Sequence, residues 1–533
     1  MGIPSFFSYI VKNHANIIKK VNKNSVVANN LYLDCNSIIY DSVHNIDFNK
    51  LIESDINTII KAVCLKIDEY IHLLKPNNII YIAFDGVAPV AKLEQQRSRR
   101  YKSLYQNNIT RSIFKGSKPD PWNTTAITPG TVFMKTLNDT VRSYYKDASK
   151  FNCSNIITSL SDSAGEGEHK LFEFIRENPQ SHGDDMNTII YGLDADLIML
   201  SINHLPISKN IYLFRETPHF IQSINADLEP NASYVLDIPE LSKIITLDMN
   251  NGVKLSTLQQ KNRIYDYIFL CFFLGNDFMP HFPSVNIRTG GVDKMLEAYR
   301  ATIGNTNDNL TDGKIIYWKN VRKLVKFLAD NEEENFKIET KMRDRRSKNH
   351  MADITDEDKF KKFESVPMYE RSLEKFINPY KNNWQVRYYK TLFNIDIDET
   401  RRKQICTNYL EGLEWTMKYY TTGCPDWRWC YKHNYPPLFC DLLDYIPFFE
   451  TEFVERKNPN PVTELVQLCY VLPKQSLKFL PETLCQNLLK HHSDWYSNDC
   501  SFVWAYCRYF WESHVNLPHI EINELEEFVS SKQ

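Results

Sequence analysis

The stretch TIIYGLDAD, residues 188–196, decides the fold of this sequence. It is a short apolar run that ends in two acids, which is typical of a buried strand followed by a functional loop. Similar runs recur along the first part of the chain, at 31–34 (LYLD), 79–85 (IIYIAFD), 155–158 (NIIT) and 210–214 (NIYLF), and helical periodicity fills 51–74. Strands that alternate with helices predict an α/β fold with a mainly parallel central sheet and surrounding helices.

The length of 533 residues is too great for one compact core and predicts two or more domains. We expect a first region at 1–330 and a helical, aromatic-rich second region at 376–533. Between them, 331–375 is dense in charge and poor in large apolar residues, so we expect a mobile linker or an insertion.

The composition excludes several classes of protein. Lys and Arg number 63 against 66 Asp and Glu, so a nucleic-acid partner would need a local basic patch. The 12 cysteines include no CxxC pair, which argues against a disulfide scaffold or a zinc module. The longest apolar run, 267–274, is too short to cross a bilayer. We therefore expect a soluble intracellular protein without a membrane partner.

Acids follow the predicted strands. Asp34, Asp85 and Asp194 each end a run, and Asp277 follows the apolar stretch in LGNDFMP. The glycine-punctuated turn AGEGEHK, 164–170, adds two more acids. Each acid alone is as well explained by a helix cap or a turn. Their repetition at one sheet edge predicts a site for Mg²⁺ or Mn²⁺ and a two-metal nuclease or phosphatase.

A basic helix is predicted directly after Asp85. Lys92, Gln96, Arg99 and Arg100 fall at i, i+4, i+7 and i+8, which places them on one face. Such a face can hold a phosphate through charge-assisted hydrogen bonds. A solvated basic helix is the alternative, but the neighbouring acid favours a terminal-phosphate pocket.

The sequence resembles the Xrn family of 5′→3′ exoribonucleases over nearly its whole length. The motifs that carry the resemblance are MGIPSFFSYI, LYLDCNSIIY, AFDGVAPVAKLEQQRSRR, ITPGTVFM, AGEGEHK, YGLDADLIML, FLGNDFMPHFP, WQVRYYK, WTMKYYTTGCPDWRW and HNYPPLFCDL. The combination of DGVAPxAKxxQQRxRR and GEGEHK is highly specific.

The resemblance implies a PIN- or flap-nuclease-like catalytic region that the second region closes. It implies that two Mg²⁺ ions, with Mn²⁺ as a substitute, are held by Asp34, Asp85, Glu166, Glu168, Asp194, Asp196 and Asp277. It assigns Lys92, Gln96, Arg99 and Arg100 to the 5′ monophosphate of the RNA. Tyr40 and either Trp429 or Trp427 would stack on the first base.

Three positions depart from the family pattern. Tyr40 stands where His is usual, Val90 where Arg is common, and Ala164 where Pro precedes GEGEHK. Tyr40 can still stack on a base. Val90 would weaken the expected backbone contacts near the entry, and Ala164 would loosen the turn. The chain resembles a compact, core-only member such as a virus might encode.

The activity expected from this resemblance is processive 5′→3′ degradation of single-stranded RNA bearing a 5′ monophosphate, with release of nucleoside 5′-monophosphates. A cap or triphosphate would not fit, so a decapping enzyme would act first. We expect a monomer in the cytoplasm, with the nucleus or a virion as alternatives. The rival functions are a flap endonuclease, a catalytically inactive protein that binds RNA 5′ ends, and a purely structural protein.

Overall fold

The computed structural model describes residues 5–21, 27–46, 56–115, 122–253, 255–349, 351–455, 457–497 and 500–532. Within these ranges the strands are β1 (Ile18–Lys20), β2 (Asn30–Asp34), β3 (Ile79–Ala83), β4 (Asn155–Ser159), β5 (Thr188–Tyr191), β6 (Ile211–Glu216), β7 (Ser233–Asp237), β8 (Ser501–Val503) and β9 (His514–Asn516). β1 to β7 form one sheet in the order β1-β7-β6-β5-β2-β3-β4, and β8 pairs with β9.

The middle of the large sheet is parallel, as the sequence predicts. The pairs β6–β5, β5–β2, β2–β3 and β3–β4 are all parallel, and Asp34 lies opposite Ala83 at the end of β2 and β3. β7 runs antiparallel to both β6 and β1 at one edge. The carboxyl ends of the parallel strands therefore meet at one edge, where the acids follow them.

Helices surround this sheet and make up most of the rest of the chain. In the first region they are α1 (Phe6–Asn13), α2 (Asn36–Asn45), α3 (Ile56–Leu74), α4 (Val90–Ile113), α5 (Val132–Tyr144), α6 (Gly167–Glu177), α7 (Asp196–His204), α8 (Ile238–Met249), α9 (Thr257–Phe272), α10 (Gly291–Thr302) and α11 (Trp318–Asp330). Those that follow are α12 (Glu332–Arg346), α13 (Asp356–Glu364), α14 (Ser372–Ile377), α15 (Trp384–Leu392), α16 (Glu399–Thr421), α17 (Phe439–Tyr445), α18 (Glu464–Val471), α19 (Glu482–His491) and α20 (Ile522–Ser530).

Both faces of the sheet are covered, which explains why its strands are continuous apolar runs. In β2, Leu31 and Leu33 lie in the core on one face, and Tyr32 lies in the core on the other. All three side chains are fully buried. Among the helices described, none is both long and apolar enough to cross a membrane.

The charged segment 331–375, for which a mobile linker or an insertion was expected, forms α12, α13 and the start of α14. Buried charges dock α12 against its neighbours. The Glu332 carboxylate accepts hydrogen bonds from the main-chain nitrogens of Phe439 and Cys440, at 2.8 and 3.1 Å. Arg343 donates to both oxygens of Glu374, at 2.9 and 2.7 Å. Paired and hydrogen-bonded charges therefore dock α12, which a low apolar content does not reveal.

We expect Arg343→Ala to unfold this part of the protein at a lower temperature. Arg343 is buried, and its loss leaves the Glu374 carboxylate with Arg371 as its one remaining arginine partner among the described residues. Removing one member of a buried ion pair costs about 3–5 kcal/mol. Arg345→Ala is the matched control because Arg345 is exposed on the same helix. Equal thermal midpoints for the two variants would contradict the anchoring role.

Candidate active site

Seven acids lie together at the carboxyl edge of the sheet and form what we call the carboxylate cluster. Its members are Asp34, Asp85, Glu166, Glu168, Asp194, Asp196 and Asp277. Asp34 ends β2, Glu166 precedes α6, and Asp196 begins α7. Electrostatic coupling links each of the seven to other members of the cluster. The structure thus brings together all the acids that the sequence singles out.

Burial and mutual repulsion raise the pKa values of several of these carboxyls. Burial raises the pKa of Asp34 and of Glu168 well above the usual range, and neighbouring carboxylates add to the effect. Burial, followed by the nearby Asp277, raises the pKa of Asp196 to about 7. The cluster therefore carries an electrostatic cost that a cation would relieve.

Lys92 supplies one such cation from α4. Its ammonium donates a 2.7 Å hydrogen bond to Oδ2 of Asp277 and forms an ion pair with Glu166. Burial alone would lower the pKa of Lys92, but these carboxylates raise it well above its usual value. Burial would raise the pKa of Asp277, yet the Lys92 ammonium holds it below its usual range.

Asp85 is held by groups that the sequence reasoning did not assign. The Asn36 amide donates to Asp85, and the main-chain nitrogen of Asp85 donates back to Oδ1 of Asn36 at 3.1 Å. The main-chain nitrogen of Gly167 also donates to Oδ1 of Asp85, at 2.6 Å. Asn36 could have been found from its position two residues after Asp34 in LYLDCN.

Gly167 explains why glycine separates the two glutamates of the AGEGEHK turn. A Cβ atom built on Gly167 would lie 2.5 Å from Oδ1 of Asp34 and 3.4 Å from Oδ1 of Asp85. The first distance is far inside van der Waals contact, so a side chain would push the acids apart. The close approach of α6 to the ends of β2 and β3 requires glycine here.

Two tyrosines from the second region also reach the cluster. The Tyr419 hydroxyl donates a 2.9 Å hydrogen bond to Oε1 of Glu166, and the Tyr420 hydroxyl bonds to Asp196. The sequence reasoning assigned neither residue, although both lie within the family-like stretch 415–429. The contacts could not be predicted because the tyrosines and the acids lie more than 200 residues apart in sequence.

The donor set suits a divalent cation, although the ligands are not gathered around one point. Within the described ranges, no three His, Cys, Asp or Glu side chains form a ready-made metal site. Yet Oδ1 of Asp34 and Oδ1 of Asp196 are buried and lack a hydrogen-bond partner in the described structure. Buried, unpartnered carboxylate oxygens fit Mg²⁺ chemistry, so the predicted ligand roles stay predictions consistent with the donors present.

The predicted phosphate-binding residues lie on one face of α4, which we call the phosphate face (Lys92, Gln96, Arg99 and Arg100). Arg100 donates to Oγ1 of Thr128 at 2.7 Å through one nitrogen. Its Nη1 and the Oε1 of Gln96 are buried without a partner among the described residues. Burial lowers the pKa of Arg100 to about 10, so the guanidinium is still charged at neutral pH. Arg99 is exposed.

The aromatic residues predicted to stack on a base occupy two regions of the chain. Tyr40 is half-buried and lies close enough to Arg100 to raise the pKa of its guanidinium. Trp429 packs on Trp415 with ring centroids 5.1 Å apart and donates to Glu411 at 3.3 Å. The Trp427 carbonyl accepts a 3.0 Å hydrogen bond from the first residue of α4. The structure thus places Tyr40 near Arg100 of the phosphate face, and the Trp427 main chain hydrogen-bonds to the start of α4.

Two other cations of α4 have structural partners. Arg97 donates to the carbonyls of Pro518 and Trp495, at 2.8 and 3.1 Å. Lys102 donates to the carbonyls of Trp511 and Ser513, at 2.9 and 3.0 Å. These bonds tie the basic helix to the C-terminal part of the chain.

A cavity of about 1210 Å³ lies on the other side of α4 from most of the phosphate face. On the helix it is lined by Ala91, Gln95 and Ser98, which project about 100° or more away from Gln96 and Arg100. Asp277 and Trp429 also line it. Arg99, the exposed member of the phosphate face, lines the cavity too, so the helix separates only the other three members from an open space that borders the same cluster.

Comparison with known proteins gives consistent results. The model of the XRN 5′-3′ exonuclease N-terminus matches residues 1–217, and that of the Xrn1 helical domain matches residues 257–378 and 369–532. The 5′-3′ exoribonuclease 2 homolog of Drosophila melanogaster is 26% identical, over 98% of this chain and 70% of that protein. The 5′-3′ exoribonuclease 1 of Saccharomyces cerevisiae is 26% identical, over 90% of this chain and 40% of that protein.

Among solved structures, the catalytic core of Rad2 in complex with DNA substrate aligns with a TM-score of 0.34 and 16% identity. The alignment covers 90% of this chain and 96% of that one. A likeness of this degree supports no inference about the present chain.

The raised pKa of Asp196 predicts a pH-dependent effect of Asp196→Asn on stability. The folded pKa of about 7 exceeds the ordinary aspartate value of 3.8, so wild-type protein loses stability as pH rises between these values. Asparagine at this position carries no charge, so the variant avoids this pH-dependent loss of stability. In EDTA, we expect the variant to be more stable than wild type at pH 8, by on the order of 2 kcal/mol, with a smaller difference at pH 5.

The measurement is the thermal midpoint at both pH values. Asp185→Asn, at an exposed acid, is the control and should show no such trend. A stabilisation by Asp196→Asn that is the same at pH 5 and pH 8 would contradict the prediction.

Proposed function

Since this chain belongs to the family of XRN 5′-3′ exonucleases, we propose that it is a processive, Mg²⁺-dependent 5′→3′ exoribonuclease. Its substrate would be single-stranded RNA with a 5′ monophosphate, and its products nucleoside 5′-monophosphates. The proposal includes a monomeric, cytoplasmic enzyme that acts after a decapping enzyme has exposed the 5′ end.

Lys92 is the residue on which this proposal depends. It belongs to the phosphate face of α4, and its ammonium also contacts Glu166 and Asp277 of the carboxylate cluster. A phosphate held on this face would therefore lie beside the acids. That arrangement suits an enzyme that holds a chain end and cuts the adjacent phosphodiester.

Buried polar groups of Gln96 and Arg100, on the same face of α4 as Lys92, support recognition of a terminal phosphate. Nη1 of Arg100 can donate to an anion without giving up its bond to Thr128. Charged hydrogen bonds in a buried setting are strong and geometrically selective. Gln96 and Arg100 lie one turn apart on α4, so both could contact one terminal phosphate, and we propose that a cap or triphosphate is excluded.

The carboxylate cluster would hold the divalent cations. When bound, such ions lower the pKa of a water nucleophile and stabilise charge on the leaving oxygen of a phosphodiester. Lys92 would balance the charge of the acids around them. Tyr40, with Trp429 or Trp427, would stack on the first base, a contact that tolerates every base and so suits degradation without sequence preference.

The direct test is degradation of one 3′-end-labelled single-stranded RNA that carries a 5′ monophosphate, a 5′ triphosphate or a cap. Each RNA is incubated with Mg²⁺ or with EDTA, and an Asp194→Ala/Asp196→Ala double variant runs in parallel. We expect Mg²⁺-dependent loss of the monophosphate RNA alone, abolished in the double variant. Tight binding of RNA without degradation under all conditions would contradict the proposal and favour a protein that sequesters 5′ ends.

Arg100→Ala should discriminate between RNA 5′ ends. We expect it to slow degradation of 5′-monophosphate RNA by about 10- to 100-fold, since a hydrogen bond to a charged group contributes about 1.5–3 kcal/mol. RNA with a 5′ hydroxyl should be slowed far less. Arg111→Ala, at an exposed position near the end of the same helix, is the control. Equal slowing of both RNAs by Arg100→Ala would refute the pocket assignment.

A further inference from the structure

Two consecutive tyrosines at the end of α16 connect the second region to the carboxylate cluster. Tyr419 and Tyr420 are 3% and 1% exposed, so both hydroxyls are shielded from water. The Tyr419 hydroxyl donates to Oε1 of Glu166 at 2.9 Å, and that of Tyr420 bonds to Asp196. Each hydroxyl thus binds a different acid of the first region.

The tyrosine rings are held firmly by aromatic neighbours. Tyr419 stacks on His169 with ring centroids 3.8 Å apart and an interplanar angle of 21°. The edge of Phe278 lies 5.5 Å from the same ring. Tyr420 packs edge-on against Phe272 at 5.3 Å. Because the rings cannot swing away, the positions of their hydroxyls are fixed relative to the acids.

The hydrogen bonds leave the two acids in different states. The Tyr420 hydroxyl lies within reach of the Asp196 carboxylate, whose Oδ1 is buried and unpartnered in the described ranges. Glu166 has Oε1 engaged by Tyr419 and is also paired with Lys92. A hydroxyl on one carboxylate oxygen fixes the rotation of the group and so directs the other oxygen. The effect should be larger for Asp196, because Glu166 is restrained by Lys92 as well as by Tyr419.

We propose that Tyr419 and Tyr420 are positioning residues that orient Glu166 and Asp196 toward a divalent cation. The second region would then complete the metal site as well as cover it. This inference rests on the proposed function, because it assumes that the carboxylate cluster binds the cation. Neither tyrosine needs to touch RNA or the reacting phosphate.

The test is the affinity of the full chain for Mn²⁺, measured by isothermal titration calorimetry and from the electron paramagnetic resonance signal of free Mn²⁺. Tyr420→Phe keeps the ring and removes only the hydroxyl, so the packing against Phe272 is retained. Loss of such an outer partner typically weakens metal binding by 10- to 100-fold, and we expect at least a tenfold loss here. Tyr419→Phe should weaken binding less, because Lys92 still restrains Glu166.

Tyr388→Phe is the matched control. Tyr388 is equally buried, and its hydroxyl donates to the carbonyl of Pro436 at 3.0 Å instead of to an acid of the cluster. We expect it to bind Mn²⁺ as wild type does. Thermal midpoints in EDTA should show that all three variants are folded, and binding of 5′-monophosphate RNA in EDTA should be unchanged by the Tyr419 and Tyr420 substitutions.

Activity provides a second measurement that separates orientation from general loosening. For Tyr420→Phe, raising the Mn²⁺ concentration should restore the rate of RNA degradation toward that of wild type. Suppose that the wild-type enzyme binds Mn²⁺ and degrades RNA. If both tyrosine variants then bind Mn²⁺ with wild-type affinity, this inference alone is overturned. A wild-type protein that neither binds Mn²⁺ nor degrades RNA would overturn the proposed function itself. An equal loss of affinity in Tyr388→Phe would also overturn the positioning role.

Discussion

The concentration of buried negative charge at one sheet edge is the constraint on which the rest of the structure depends. The seven acids repel one another, and burial raises the cost of charge on Asp34, Glu166, Glu168 and Asp196. Lys92 offsets part of that cost by pairing with Glu166 and Asp277. The position of α4 follows from this requirement, and its other cations, Arg97 and Lys102, fasten the helix to the C-terminal chain. Substrate recognition and charge compensation thus share one helix.

The same requirement makes the site a product of both regions of the chain. The acids follow strands of the first region, while the tyrosines of α16 in the second region hydrogen-bond to two of them. The second region also bonds directly to the start of α4, where the Trp427 carbonyl accepts from Val90. Nearby, the main-chain nitrogen of Ala88 donates to Gln467 at 3.1 Å. A first region without its second would leave these groups of the site without partners.

The fold and the acids were predictable from the sequence for a common reason. Strands buried on both faces must be continuous apolar runs, and a run that ends in Asp, as 188–194 does, places that Asp at the sheet edge. The edge strand β1 and its neighbour β7 were missed because β1 has only three residues, two of them lysines, and the apolar part of β7 is only three residues long. The sequence left the charged segment open between a mobile linker and an insertion because α12 docks through Arg343 and Glu332, a mode of anchoring that periodicity does not reveal. Tyr419 and Tyr420 escaped notice because their partners lie more than 200 residues away in sequence.

Gly167 shows that a position without functional groups can be as restricted as those that carry the chemistry. Its missing side chain leaves the space in which Asp34 and Asp85 approach the start of α6. A combinatorial library that varies the acids to change metal preference would have to keep glycine at this position. In a deep mutational scan, tolerance at 167 would therefore resemble that of a catalytic residue, and the cause would be volume.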